Sequence, residues 1–158
     1  MKGSIVSIHI AAEPGGDLQP LDSAELVAGC GIRGDRHFAA DGSHADSALT
    51  LIEEEQVELF NELTGLSLAP HDTRRQIVTR GVALNDLVGT RFRIGAVEVE
   101  GIELCEPCAY LADHLKRQFS TTEVSAPKIV HGLAHRAGIR ARILTNGNVR
   151  VGDRVMVD

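Results

Sequence analysis

The chain has 158 residues, 43% of them hydrophobic and 24% charged, with a formal net charge of −6; that length suits one domain, 1–158, able to bury well over half of its unfolded surface without staples. The acidic balance argues against a general nucleic-acid or anionic-membrane surface, although a local basic pocket is compatible with it. Three cysteines, no charged-then-apolar leader at Met1-Lys2-Gly3-Ser4 and no long uncharged apolar run describe a soluble protein of the reducing cytoplasm whose cysteines rest as thiols.

In chain order, Ser4 to Ile10 reads as the first strand. After a turn at Gly31, Gly34-Asp35-Arg36-His37 packs an acid, a guanidinium and an imidazole into consecutive positions. Loop residues of this kind are candidates for a site; the alternative is a turn in which Asp35 bonds local N–H groups while Arg36 and His37 are solvated. The spacing predicts a helix from about Glu53 to Leu63, with an apolar stripe of Val57, Phe60 and Leu63 and with Gly65 as the C-terminal cap. Its acidic triplet Glu53-Glu54-Glu55 reads as helix capping rather than as a metal site.

Arg74 to Arg80 carries three arginines around a strand pattern, Gln76-Ile77-Val78-Thr79. If the strand period held throughout, Arg74, Gln76 and Val78 would share one face, and a guanidinium beside an amide suits a phosphate. The alternative is that these arginines are simply solvated. Strands follow at Arg91 to Ile94 and Ala96 to Glu100.

Leu104-Cys105-Glu106-Pro107-Cys108-Ala109-Tyr110-Leu111 then ends a β-rich run and opens a helical one, with Tyr110, Leu111 and Leu115 on one face. Pro107 suits the start of that helix, and Cys108 in its first turn would be favoured as a thiolate by unpaired N–H groups and the helix dipole. A thiolate is a nucleophile and a soft metal ligand. Phe119 to Val130 reads as a long surface loop over the β core. His131 and His135 stand four apart, but Gly132 weakens a helix there and no Glu completes a zinc motif, so they read as surface or core histidines. Ile139 to Leu144 and Val155 to Val157 are the last predicted strands, with Asn146-Gly147 between apolar segments as the clearest hairpin signal. The fold class is mainly β, a barrel or folded-over sheet with a few peripheral helices.

Taken in order, several of these segments resemble the MOSC domain, named for the C-terminal domain of molybdenum cofactor sulfurases. The resemblance runs from Gly31-Ile32-Arg33-Gly34-Asp35-Arg36-His37 through Leu49-Thr50-Leu51-Ile52, Arg74 to Gly89, Phe92-Arg93-Ile94-Gly95, Leu104-Cys105-Glu106-Pro107-Cys108 and Gly138 to Leu144, ending at Val149-Arg150-Val151-Gly152-Asp153. It implies a MOSC-like β-barrel and a site that handles the molybdenum cofactor or its sulfur. In that family one cysteine is central: it carries a persulfide in proposed sulfur carriers and ligates molybdenum in the related mitochondrial amidoxime-reducing component. Cys108 matches its place. The resemblance matches Arg36 and Arg74 to basic residues that bind the cofactor, whose terminal phosphate is dianionic near neutral pH; His37, Arg75 and Gln76, from the same two segments, complete the candidate cofactor-binding set. Gln76 stands where many members have Asn, and Ala137 where a second Gly often precedes the late strand. Cys105 is an auxiliary thiol, a resolving cysteine or a passenger.

Three functions follow as expectations. The first is an enzyme that reduces N-hydroxylated small molecules with molybdenum held by the pterin and Cys108; lacking a Rossmann glycine pattern and a four-cysteine iron–sulfur spacing, it would draw electrons from a separate reductase. The second is a sulfur carrier loaded on Cys108 by a separate cysteine desulfurase, since the chain has no pyridoxal-phosphate domain of its own. The third is a structural or redox C-x-x-C protein, for which zinc would need histidine ligands and a thioredoxin role would need a βαβ context.

Overall fold

The computed structural model describes residues 3–107, 109–118 and 126–157, so Cys108 lies outside the described residues, as does the side chain of Tyr110. Eight strands form the main sheet. They are β1 (Gly3–Ile10), β2 (Gln19–Leu21), β5 (Leu49–Glu53), β6 (Ile77–Arg80), β7 (Arg91–Ile94), β8 (Val97–Leu104), β9 (Ile139–Ile143) and β11 (Arg154–Met156). Seven of them close into a barrel in the order β11-β7-β8-β9-β5-β6-β1, sealed where Gly3 and Ser4 of β1 pair with Val155 and Arg154. The other half of that same edge of β1 takes β2, through Ile8 to Ile10. A smaller sheet of β3 (Ser23–Val27), β4 (Gly31–Ile32) and β10 (Gly147–Arg150) runs in the order β10-β3-β4.

One pairing in the barrel is parallel, β5 with β6. Parallel neighbours need a crossover, and α1 (Glu54–Thr64) supplies it. Strand alternation then sorts the apolar residues into two layers. Leu49, Leu51 and Ile77 join Ile5, Ile8, Phe92, Ile94, Val99 and Ile143 in the barrel core. Ile52 and Val78, the next residues along the same strands, point outward to meet Phe60 and Val57 of α1, Leu111 and Leu115 of α2 (Ala109–Gln118), and Ile129 and Leu133 of α3 (Ala126–Leu133). Each such side chain contributes about 1.5–3 kcal/mol on burial. Gly138 permits the last close approach: its φ is 91°, and a Cβ there would lie 1.9 Å from the Leu51 carbonyl oxygen. Among the described residues no helix is long and apolar enough to cross a membrane.

The mainly β barrel and helix α1 with its left-handed Gly65 cap agree with the sequence. Several local readings are corrected. Leu63 is 60% exposed while Val57 and Phe60 are buried, because successive three-residue steps drift around a 3.6-residue helix. Asn146-Gly147 makes no hairpin: β10 leaves β9 and pairs with β3 in the other sheet, and the Asn146 side chain accepts the Ala28 N–H at 2.7 Å. Within the predicted loop Phe119 to Val130, residues 126–130 belong to α3, and 119–125 lie outside the described residues. Of the acidic triplet, Glu54 and Glu55 occupy the first turn of α1 as expected, while Glu53 is the N-cap without a side-chain capping bond; Glu54 pairs with Arg80 at 2.8 Å and Glu55 accepts the Gly81 N–H at 2.8 Å, tying the helix to β6. The reading of His131 and His135 as surface histidines agrees with the structure: both are exposed, His131 in the last turn of α3 and His135 beyond the helix at φ 60° beside Glu106, so the two share no helical face.

Candidate anion-binding site

Asp35 is the centre of the site. It sits in the turn after β4, 5% exposed, and its carboxylate takes bonds from separate parts of the chain. Oδ1 accepts the Ala11 N–H at 3.0 Å and Arg36 Nη1 at 3.1 Å; Oδ2 accepts the His37 N–H at 3.1 Å and Gln76 Nε2 at 2.6 Å. A buried carboxylate is tolerable only with such a full set of donors. The turn is thereby fastened to the end of β1 and to the residue preceding β6.

Gln76 does not share a ligand-facing side with Arg74. The strand begins only at Ile77, and Arg74 is in the left-handed region at φ 64°, so two-residue alternation does not extend back to it. The Gln76 side chain is 1% exposed: its carbonyl accepts the Thr50 N–H at 2.8 Å while its amide donates to Asp35. Its role is to hold the turn against β5.

The break in alternation puts Arg74 and Arg75 on the wall of one cleft of about 330 Å³ with Arg36, His37, Thr50 and Leu111. Arg36 is nearly buried, with 8% of its side chain exposed, against Asp35. Arg74 donates Nη2 to the Gly16 carbonyl at 2.8 Å, and Arg75 donates Nε to the Ala137 carbonyl at 2.8 Å and Nη2 to the Cys105 carbonyl at 3.3 Å. These partners are neutral. Among the described residues, Asp35 is the carboxylate paired with this group of three guanidiniums. Burial, with Arg74 and Arg75 nearby, lowers the Arg36 pKa, while Asp35 acts against the fall. Arg74 and Arg75 therefore meet the cleft with neutral hydrogen-bond partners, an arrangement suited to an anion, while Asp17 and Asp72 border Arg74 in a neighbouring cavity.

Two further cavities adjoin. One of about 660 Å³ is lined by Arg36, His37, Phe38, Ala39, His44 and Ser47 among others. The other, about 460 Å³, has His37, Thr50, Arg75, Glu103, Cys105 and Arg140 on its walls. His37 lies below its ordinary histidine pKa because protein crowds the ring and because Arg36, Arg140 and Arg74 oppose its charge, with Asp35 acting the other way. Cys105 is 3% exposed and closes the wall where its own carbonyl meets Arg75. Cys30, the remaining described thiol, stands apart with Sγ 3.7 Å from the Ala40 carbonyl oxygen.

The sequence profile of the MOSC domain matches residues 33–156, which include the Asp35 turn, the arginine pair and the cysteine segment. The chain belongs to the MOSC domain family. The YuaD protein of Bacillus subtilis has a similar fold, with a TM-score of 0.85 at 17% identity over 98% of this chain and 94% of that one. YiiM of Geobacillus stearothermophilus gives 0.73 at 16% identity over 99% and 75% of the respective chains, and YiiM of Escherichia coli 0.70 at 18% over 100% and 70%. At these identities the likeness is one of fold. No curated protein matches the chain.

In this MOSC domain the structure brings Arg36, His37, Arg74 and Arg75 to one cleft and places Gln76 behind it. It also adds residues the sequence did not single out for the site. Thr50 lines the cleft and its hydroxyl accepts the Gln76 backbone N–H at 3.0 Å, and the Gly16 carbonyl orients Arg74. Neither carries a local signal: a threonine in a strand and a glycine in a turn are too common to mark a site. Ala137 has no positive φ; that conformation falls on Gly138, so the missing second glycine leaves the backbone unstrained.

Proposed function

We propose that this MOSC protein binds a molybdenum cofactor and reduces N-hydroxylated small molecules with electrons from a separate reductase. The observation that carries the reading is the pair Arg74 and Arg75, whose guanidiniums are held by carbonyl oxygens and so keep their charge on the cleft wall. The cofactor's terminal phosphate is a dianion, and two pre-oriented guanidiniums fit its charge and geometry. Arg36, pinned by Asp35, adds donors on the same wall without adding net charge. The proposed metal ligand is Cys108, which precedes α2 by one residue in the chain, and whose thiolate is a soft donor suited to the metal.

When bound, the cofactor supplies a metal that changes oxidation state as oxygen leaves the substrate nitrogen. The chain's own part is to bind and orient. Asp35 and Gln76 fix the turn, Arg74 and Arg75 hold the anionic end, and the adjoining cavities leave room for a small molecule beside His37.

The test is purification from a host that makes the cofactor, with molybdenum and pterin measured per chain and with reduction of an N-hydroxylated purine base assayed using a chemically reduced dye as donor. The proposal expects both cofactor and turnover. Metal-free protein without affinity for the cofactor that instead acquires a persulfide on Cys108 from a cysteine desulfurase would replace it with the sulfur-carrier reading.

A further inference from the structure

His37 lies on the walls of all three cavities, of about 330, 660 and 460 Å³. Arg36 borders the first two and Thr50 and Arg75 the first and third, so His37 stands where the cationic cleft meets the two compartments beside it. Its main chain is fixed by the hydrogen bond to Asp35 at 3.1 Å. Its ring makes no hydrogen bond to any described side chain or carbonyl, which leaves both ring nitrogens to a ligand.

The other described groups on these walls do not exchange a proton readily from that position. Arg36, Arg74, Arg75 and Arg140 present guanidiniums, which serve as hydrogen-bond donors and charges rather than as proton carriers. Asp46 and Glu103 line the third cavity with His37, Asp46 being bonded to Arg142 and Glu103 to Arg140. Asp41 and His44 border only the second cavity, and Cys105, nearly buried, only the third.

We infer that His37 is the catalytic acid of this site, the group that protonates the oxygen departing from an N-hydroxylated substrate. The inference rests on the function proposed above. Conversion of N–OH to N–H and water takes two electrons and two protons per molecule. The N–O bond breaks, and the oxygen leaves as water carrying its own proton and one from the His37 imidazolium. The nitrogen gains the electron pair, which the separate reductase supplies, and a proton from solvent. His37 regains its proton from water in the open cavities. Because only the imidazolium donates, turnover falls as pH rises through the His37 pKa, which burial of the ring first and its arginine neighbours second place below the ordinary 6.5.

The experiment compares wild type with His37→Gln and His37→Ala, all loaded in the cofactor-producing host. Expected are, per molybdenum bound, turnover down by about a hundredfold or more, loss of the basic limb of the pH profile, and partial recovery of His37→Ala by added imidazole. NMR titration of the His37 ring in cofactor-free protein should give a midpoint that coincides with the wild-type kinetic limb. Turnover that survives with an unchanged pH profile, or cofactor content that falls in step with turnover, overturns the assignment and leaves the proposed function standing. Wild-type protein that binds no cofactor and reduces nothing overturns both.

Discussion

Arg74 stands just before β6 and Arg80 is its last residue, and the fold treats them in opposite ways. Arg80 is half exposed and lies between Glu54 at 2.8 Å and Glu58 at 3.0 Å, so its charge is matched at the surface and its pKa is raised by those two carboxylates. Arg74 and Arg75 are less exposed, yet their hydrogen-bond partners are carbonyl oxygens. A surface pair of the first kind ties α1 to β6 and adds little. Guanidiniums of the second kind are oriented without being neutralised, an arrangement suited to a bound anion. The residue type is common to both ends; what separates them is the chemistry of the partners the fold provides.

The comparison predicts a graded series of effects. Asp35→Ala should be the most damaging, because it removes the partner of a nearly buried guanidinium and orphans the Ala11 and His37 N–H groups together with the Gln76 amide. A loss of about 3–5 kcal/mol in urea unfolding is expected. Gln76→Leu should cost less, about 1–3 kcal/mol in the same assay, as the Thr50 N–H loses its acceptor while Asp35 keeps its other donors.

His9 provides a pH-dependent step. It is buried, its Nε2 has no partner among the described residues, and it stacks on His71 with ring centroids 4.7 Å apart. Burial first, and His71 second, lower its pKa below 6.5. The stability it contributes is therefore present above the unfolded value of 6.5 and lost as pH falls through the folded one. His9→Gln should reduce the difference in melting temperature between neutral and mildly acidic solution. Arg80→Gln should have the smallest effect, an unfolding midpoint close to that of wild type. An Arg80 variant as unstable as the Asp35 one would break the contrast.

The barrel was legible because its strands carry strong period-two patterns and its turns carry glycine. Arg91 to Ile94 matched β7 in full, and Gly65 capped α1 as expected. The short strand Gln19–Leu21 left no such trace, since it is defined by its pairing with β1 rather than by its own burial, whereas Ser23–Val27 alternates, with Ala24 and Leu26 buried, over too few residues to stand out. At the site, the Asp35 turn and the arginine pair were identifiable by residue type. The position of Gln76 was not, because the left-handed backbone at Arg74 ends the alternation on which its expected face depended. Arg74 is the left-handed C-cap of the 3-10 turn Pro70–Thr73, its N–H donating to the His71 carbonyl at 2.9 Å, and the one long-range contact that fixes it is the Gly16 carbonyl that holds its side chain.

The central claim is that the unneutralised guanidiniums of Arg74 and Arg75, and not arginine charge in general, hold the cofactor. It is tested most directly by measuring molybdenum and pterin per chain in wild type, Arg80→Gln and the double variant Arg74→Gln/Arg75→Gln, purified side by side from a cofactor-producing host. The account predicts equal contents in wild type and Arg80→Gln, and at least a tenfold lower content, on the order of the loss of one charged contact pair, in the folded double variant. Equal cofactor in all three proteins, or equal loss in both variants, would contradict it.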